Sequence, residues 1–468
     1  MAAMQRRMTK MLVRYFPKLG ALDNQNKDLV RRTFSSIILR ILRTGVSFMF
    51  NIVIGRLLGT DLYGVYSQAY TVTRVATVVG RGGLDQAVLR FTAANASQKK
   101  WDAVAGIIRL SLVTATIVSI IVTIVVYAAA PFLSQFLFQD PRITEPMRWM
   151  ALGILPWSWF FLYGQLLQGI EKIEDSIFVQ TMGVSIVQIP LLLLLATTYG
   201  ATGAAFTVFV GNTLMALLGY RLWRRYVPQI RGVKGEFDRQ LLMRTSIPLF
   251  WTDLTTVLIG VSDNLMLGFF ASSSAVGVYD QAKRISILVS AFLTATSYVA
   301  APKFAAMYAR GETDKLGSLA RNSARLTTLL AVPFLLLFIF APGWTMSLLG
   351  KGYEEGAFVL TLLGISQFVN AATGAVGYLL IMTGHEKDMR NITLVTSAIK
   401  VVLLIVLIPP FSYIGAAIAT MTGDVLRNVW AFVAVYQRLN IITLPIPDGL
   451  ARRLTGLRST PPSTPTQS

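Results

Sequence analysis

The sequence contains no cysteine and only one histidine, His385, among its 468 residues. The first absence excludes disulfides, thiolate nucleophiles and cysteine metal sites, and the second excludes a metal site built from several histidines. We therefore expect no metal, no cofactor and no catalytic residue. The first residues are basic and lack the apolar stretch of a cleavable signal peptide, so we expect membrane insertion to depend on the first apolar run itself.

Charged residues are also scarce, at 14% of the chain, whereas 54% of the residues are hydrophobic. A soluble protein of this length cannot usually bury so much apolar surface, but a protein with many membrane spans has no need to. The net charge is +20, which in a soluble protein would indicate nucleic-acid binding. Because the basic residues lie in links between apolar runs, we expect no nucleic acid and instead an attraction to anionic membrane lipid.

Apolar runs long enough to cross a bilayer predict about twelve transmembrane helices and an all-α integral membrane protein. The predicted spans lie near 33–58, 62–83, 106–130, 147–168, 177–198, 203–223, 246–270, 276–304, 326–340, 357–382, 392–408 and 414–436. Lysine and arginine concentrate in alternate links, and the links between them are short or nearly uncharged. Twelve spans with both termini cytoplasmic place every basic link on the inner side of the plasma membrane.

The two halves of the chain resemble each other. Gly64–Ala69 reads GVYSQA and Gly277–Ala282 reads GVYDQA. Further matches follow in the same order at a nearly constant offset: Phe91 with Phe304, Pro131 with Pro342, Gly169 with Gly384, and Gly203 with Gly415. A duplicated unit of six helices enters the membrane twice from the same side, which predicts two lobes related by a pseudo-two-fold axis along the membrane normal. A cleft between such lobes, open to each side in turn, is typical of a transporter.

This division predicts five segments along the chain. They are a basic N-terminal cytoplasmic segment (1–32), a first six-helix lobe (33–223), a cytoplasmic connector (224–244), a second six-helix lobe (245–436) and a cytoplasmic tail (437–468). The Ser/Thr/Pro-rich end of the tail, Ser459–Ser468, should be disordered. For 1–32, an amphipathic helix on the membrane surface and a disordered tail stay open as alternatives.

Two arginines, Arg40 and Arg43, lie well inside the first predicted span. They form one polar stripe with Ser36, Ser47 and Asn51, because steps of three or four residues stay on one helical face. A central arginine costs about 2.5–3.5 kcal/mol on insertion scales, so the stripe should face protein or a water-filled cavity. The alternative is that both side chains extend to the inner membrane interface.

The second predicted span adds Arg74 and Arg81, with almost no acid inside the spans of the first lobe. A guanidinium group fits two phosphate oxygens at once, so an unpaired arginine cluster favours a phosphate or diphosphate head group. The predicted substrate-binding residues are Arg40, Arg43, Arg74, Arg81, Asn51 and Lys283.

The spans of the second lobe mix acids and bases. Three acids are candidates for proton or sodium coupling on spacing alone: Asp253, Asp263 and Asp424. Buried charges also survive as structural ion pairs. The alternative pairs are Asp280 with Lys283, and Asp424 with Arg427 or Lys400.

With twelve spans in two halves, a repeated Gly-x-Tyr-x-x-Ala motif and arginines in its first two helices, the chain resembles the polysaccharide-biosynthesis flippases. These belong to the multidrug/oligosaccharidyl-lipid/polysaccharide exporter superfamily, and Gly59–Val75 and Asp263–Ile285 carry the likeness. The resemblance implies transport of an undecaprenyl- or dolichyl-linked oligosaccharide across the cytoplasmic membrane. It also implies that Arg40, Arg43 and Arg74 contact the diphosphate, as cavity arginines do in related lipid II flippases. Those flippases usually carry two more helices. We expect a monomer, with glycan-assembly enzymes as partners.

Two other functions stay open. A cation-coupled multidrug exporter would need an acidic cavity, and that branch typically has an acid in its first helix, where this chain has arginines. A membrane glycan polymerase or ligase would need a sizeable outer loop, whereas the longest outer link, 132–146, has the length of a connector. We therefore expect a transporter rather than an enzyme.

Overall fold

The computed structural model describes residues 24–230, 232–233 and 235–447, and only the backbone of 24–41, Arg43, Ala295 and Tyr298. Residues 1–23 and the predicted disordered end of the tail lie outside the described residues. The described chain has no strand. Its helices are α1 (Asn24–Arg81), α2 (Leu84–Ser97), α3 (Trp101–Phe132), α4 (Thr144–Leu152), α5 (Ile154–Gly169), α6 (Ile173–Ile177), α7 (Gly183–Tyr226), α8 (Arg239–Phe270), α9 (Ser273–Ser286), α10 (Ala291–Ala309), α11 (Thr313–Phe340), α12 (Pro342–Ser347), α13 (Ala357–Thr373), α14 (Val376–Met382) and α15 (Glu386–Leu439). Short π-helical segments are Leu133–Leu137 and Phe178–Met182, and 3₁₀ turns are Pro141–Ile143, Pro228–Ile230, Ile287–Ser290 and Tyr353–Gly356.

Seven helical stretches of the described chain are long and apolar enough to cross a membrane. Three of them contain one residue with non-helical backbone: Gly59 in α1 (φ 66°), Gly200 in α7 (φ 57°) and Ser412 in α15 (φ 49°). Each break falls at a link that the sequence predicts between two spans. Divided there, the seven stretches become ten, and two bent helix pairs, 141–169 and 273–309, bring the described spans to twelve. The predicted twelve-helix membrane fold is confirmed.

The hairpins at Gly200 and Ser412 are closed by equivalent glycines. A Cβ atom on Gly203 would lie 2.1 Å from the carbonyl oxygen of Leu195, and one on Gly415 would lie 2.1 Å from that of Leu407. No side chain fits in such a space, so the helices approach each other only because these residues are glycine. The predicted repeat therefore reflects equivalent packing in the two halves.

Each half of the chain is stabilised by its own buried apolar clusters. The first half packs around Tyr63, Met147 and Ile154 and around a second cluster that contains Leu84. The second half packs around Tyr279 and around a cluster that contains Phe304. The lobes are joined by a connector that is shorter than the predicted 224–244, because α7 runs on to Tyr226 and α8 already begins at Arg239. Asp238 caps α8 by accepting hydrogen bonds from the amides of Gln240 and Leu241.

The two lobes meet where the repeated motif begins. A Cβ atom on Gly64 would lie 1.7 Å from the carbonyl oxygen of Ser273, and one on Gly277 would lie 2.0 Å from that of Thr60. The contact is symmetrical, because Thr60 precedes Gly64 by as many residues as Ser273 precedes Gly277. Since α8 starts at the connector and ends just before Ser273, this contact lies at the end of the molecule away from the connector, here called the distal end. The lobes are in close contact there.

Candidate functional site

Asp280 follows Gly277 on α9 by three residues, and its side chain forms hydrogen bonds to both lobes. Its buried carboxylate accepts hydrogen bonds from Tyr63 Oη at 2.6 Å and Ser67 Oγ at 3.0 Å, both in the first lobe. Within its own lobe it accepts from Asn264 Nδ2 at 2.9 Å and from Arg284 Nε at 2.8 Å. One carboxylate therefore collects four donors, and two of those contacts exist only while the lobes touch.

A second polar cluster crosses between the lobes at the distal surface. Arg142 pairs with Asp61 at 2.5 Å and with Asp140 at 2.8 Å. Asp140 also accepts a hydrogen bond from Ser273 Oγ of the other lobe at 2.7 Å. Burial by itself raises the pKa of Asp140, but the hydrogen bonds from Arg142 and Ser273 outweigh it and hold this pKa below its usual range. Asp140 therefore stays ionised and contributes to closing the distal end.

Asp263 lies at the centre of a buried charge cluster in the second lobe. Lys283 Nζ approaches its carboxylate at 2.6 Å and Lys400 Nζ at 3.6 Å. Tyr279 Oη donates a further hydrogen bond at 2.7 Å. Two ammonium groups thus face one carboxylate, so this cluster is internally paired and carries one positive charge in excess.

The ion pairs of the second lobe agree in part with the alternatives that the sequence offers. Lys283 does not pair with Asp280, because the buried carboxylate of Asp263 on the neighbouring helix attracts Lys283 instead. Lys400 also turns to Asp263, whereas Asp424 pairs with Arg427 at 3.4 Å. The three ion-coupling candidates have different surroundings. Of the three candidates, Asp263 and Asp424 are paired, and Asp253 is half-buried on α8.

The arginines of the second span differ from each other. Arg74 is exposed and has no hydrogen bond or ion pair to any described residue. Arg81 is nearly buried, pairs with Asp85 at 3.0 Å, and lies over the ring of Phe161 at 4.1 Å. The expectation of an uncompensated charge therefore holds at Arg74 and fails at Arg81, whose counter-ion follows four residues later. The side chains of Arg40 and Arg43 lie outside the described residues.

A cavity of about 270 Å³ lies within the first lobe. Its aromatic lining comes from α1 and α5: Phe50, Tyr63, Tyr66, Tyr70, Trp157, Phe160 and Phe161. Its amides come from α1, α7 and a π-helical segment: Asn51, Gln180, Gln188 and Asn212. Among the described residues, Arg284 is the one charged side chain in the lining, and it comes from the second lobe. The predicted site residue Asn51 therefore lies in this cavity, whereas Lys283 lies in the Asp263 cluster.

Sequence reasoning missed Arg284 and the aromatic lining. The i, i+4 spacing of Asp280 and Arg284 is a signal that the sequence offers. The aromatic residues gave none, because a helix with aromatic residues on one face is usually part of a hydrophobic core. Only the packing of α1 against α5 and α7 shows that these rings surround a cavity.

Comparisons with known proteins agree with this architecture. A model of the family described as polysaccharide biosynthesis protein matches residues 29–308. The probable flippase AglR of Haloferax volcanii is 30% identical over 189 residues, and the match covers 39% of this chain and 39% of that relative's length. The chain therefore matches well under half of this curated relative.

Two solved structures share the fold. An inward-facing multidrug resistance MATE family transporter of the MOP superfamily gives a TM-score of 0.69 at 14% identity, over 86% of this chain and 98% of the other. The lipid II flippase MurJ in an inward closed conformation gives 0.70 at 12% identity, over 86% and 87%. At such low identity the likeness extends to the fold alone.

Proposed function

The chain belongs to the polysaccharide biosynthesis protein family, and from this membership we propose that it is a flippase for a lipid-linked oligosaccharide. The cargo would be a polyprenyl-(di)phosphate-linked oligosaccharide destined for cell-surface polysaccharide. The flippase name of the partly matching relative supports this function. The two-lobed carrier fold supports a transport mechanism without covalent chemistry.

The mechanism proposed is alternating access between the lobes. In the state described here, the glycine contact, the Asp280 bonds and the Arg142 cluster hold the distal end closed. Separation of the lobes at this end would break the bonds of Asp280 to Tyr63 and Ser67 and open the cleft to the other side. The lobes divide at the connector, and the positive-inside distribution of basic links supports a cytoplasmic connector and cytoplasmic termini in the plasma membrane.

Arg74 is the observation that carries the choice of an anionic cargo. It lies on the same face of α1 as Tyr63, Ser67 and Tyr70, because these positions follow one another at steps of three or four. Tyr63 and Ser67 contact the second lobe, so this face borders the cleft. A guanidinium without a carboxylate partner in a membrane cleft favours an anion such as a diphosphate. Arg40 and Arg43 would extend this positive surface along the first span.

The test is a flipping assay with purified protein in liposomes that contain a fluorescent polyprenyl diphosphate carrying a sugar. Arg74→Ala should slow flipping at least about tenfold, because a hydrogen bond to a charged group contributes about 1.5–3 kcal/mol. Arg74→Lys should retain part of the rate, since the charge stays but the bidentate geometry is lost. The double change of Arg40 and Arg43 to Ala should abolish flipping.

The matched control is Arg438→Ala, which removes an exposed arginine paired with Asp388 outside the cleft. This variant should flip at the wild-type rate. Wild-type flipping by Arg74→Ala, or by the Arg40 and Arg43 double variant, at normal protein levels would contradict the assignment of these arginines to the cargo.

A multidrug exporter is the second candidate, because the aromatic cavity of the first lobe could hold an apolar cation. The lining, as far as the structure describes it, includes an arginine and no carboxylate, which disfavours a cationic drug. Accumulation of a cationic dye in liposomes would distinguish the two functions. We expect no accumulation of the dye.

We further propose that the protein is a monomer and that it receives its cargo from glycan-assembly enzymes.

A further inference from the structure

The first-lobe cavity contains buried amide atoms without partners. Asn51 is 7% exposed, and its Oδ1 accepts no hydrogen bond from a described residue, although its Nδ2 donates to the carbonyl of Ser47 at 2.8 Å. Asn212 is 2% exposed, and its Nδ2 donates to no described residue. Leaving a buried polar atom unpaired costs about 1–3 kcal/mol. Both residues line the cavity, so two amide groups at its wall have hydrogen-bonding capacity that no described residue uses.

In the second lobe, the position equivalent to Gln188 of the first lobe holds a charged side chain, Lys400. A Cβ atom on Gly211 would lie 3.0 Å from Gln188 Cγ, and one on Gly423 would lie 2.8 Å from Lys400 Cβ. The two glycines are as far apart along the chain as Gln188 and Lys400, so the two contacts are equivalent under the repeat. Lys400 reaches the buried carboxylate of Asp263. The second lobe thus holds its own ion pair, whereas the first lobe has a neutral amide beside a cavity.

The ligand that fits the first-lobe cavity is uncharged and both polar and apolar. Tyr66, Tyr70 and Trp157 form one continuous aromatic wall, because the ring centres of Tyr66 and Tyr70 are 6.0 Å apart and those of Tyr70 and Trp157 are 5.5 Å apart. Aromatic faces carry partial negative charge and attract the slightly positive C–H groups of a pyranose ring. Amides both donate and accept, as hydroxyl groups require. These are the features of a site for a sugar.

We propose that this cavity binds one sugar residue of the cargo, with the adjoining phosphate held at the terminal nitrogens of Arg284, whose Nε is paired with Asp280; this inference rests on the flippase function proposed above. Arg284 lies 6.0 Å from the centre of the Tyr70 ring, so a phosphate on its guanidinium would place the next group against the aromatic wall. The volume of about 270 Å³ is near the lower limit of ligand pockets, which is roughly 300 Å³. It suits a single ring and leaves the rest of the oligosaccharide in the cleft.

The experiment measures the affinity of the full chain in lipid nanodiscs for three probes. They are a bare polyprenyl diphosphate and the same lipid carrying either one hexose or one N-acetylhexosamine. The wild type should bind at least one sugar-bearing lipid about tenfold more tightly than the bare lipid, as one or two added hydrogen bonds predict. Asn212→Leu should bind all three lipids with the affinity of the wild type for the bare lipid.

Two further variants support the comparison. Ser185→Phe keeps the amides but places a ring in the cavity that Ser185 lines, so it too should lose the sugar preference. It keeps the test valid if Asn212→Leu does not fold. Asn428→Leu replaces an equally buried asparagine of the second lobe, outside the cavity, and should keep the preference.

The outcomes separate the two proposals. Equal binding of all three lipids by the wild type, or an unchanged preference in both Asn212→Leu and Ser185→Phe, overturns the sugar site and leaves the flippase function intact. No binding of any of the lipids by the wild type overturns the flippase function itself. Loss of the preference in Asn428→Leu as well would show a general packing effect and also overturn the sugar site.

Discussion

Replacing Asp280 by asparagine should open the distal end of the protein. The carboxylate is buried and accepts hydrogen bonds from Tyr63 and Ser67 of the first lobe at 2.6 and 3.0 Å. Each hydrogen bond to a charged acceptor contributes about 1.5–3 kcal/mol. An asparagine oxygen can still accept one of them, so the closed arrangement should lose about 2–3 kcal/mol. The open population should rise roughly 30- to 150-fold.

The assay can use a single thiol, because the chain has no cysteine of its own. Gln281 is fully buried and donates to the carbonyl of Asn51 in the other lobe at 3.2 Å. A cysteine at this position reacts with a thiol reagent only when the lobes separate, so its reaction rate follows the open population. In the Gln281→Cys background, Asp280→Asn should speed the reaction by the factor given above.

Two controls distinguish opening from unfolding. Asp388→Asn removes a carboxylate from an exposed pair with Arg438 and should leave the reaction rate unchanged. A cysteine at Ala331, buried within the second lobe, should stay protected when Asp280 is changed. An unchanged rate at Gln281→Cys would show that Asp280 does not hold the lobes together, and a faster rate at Ala331→Cys would show unfolding instead.

Gly64→Ala should lower the thermal unfolding temperature of the purified protein, because its Cβ would lie 1.7 Å from a backbone oxygen and overpacking costs about 1–3 kcal/mol. Gly260→Ala, where a Cβ meets nothing within 4 Å, should not lower it; equal effects would refute the packing argument. The lowered pKa of Asp140 means that its contribution is complete above the usual value of 3.8 and is lost only as the pH falls through the lowered pKa. The stability difference between the wild type and Asp140→Asn should therefore stay constant from about pH 8 to about pH 5, and a difference that disappears within that range would contradict this. A reporter fused after Gly200 should be external, since loop charge sets orientation; cytoplasmic activity would reverse the proposed topology.

The architecture could be predicted because its signals are local in the sequence. Apolar length sets the spans, and Gly59 and Gly200 lie in links short enough to be recognised between two apolar runs. The matching order of Gly64 and Gly277 indicates two equivalent lobes, and the lobes meet at these two glycines. The sequence could not show this contact, because a glycine needed for close approach looks the same as any other.

Charge pairing was predicted less well, since it depends on which helices become neighbours. Arg81 finds Asp85 after the turn that ends α1, and Lys283 turns from its own helix to Asp263 on α8. Either carboxylate could have been assigned to other partners from spacing alone. Arg74 is the arginine of the second span that keeps no described partner, and only the neighbouring helices decide that.

Composition, apolar run lengths and the internal repeat were sufficient to predict a duplicated twelve-helix membrane fold, because each of these properties is fixed by the order of residues along the chain. The cavity of the first lobe was decided by the tertiary structure. Asn51 and Asn212 are 161 positions apart in the chain, and they line the same cavity only after α1 and α7 have packed. A site that combines side chains from separate helices exists only in the folded protein, because no local pattern records which faces will meet.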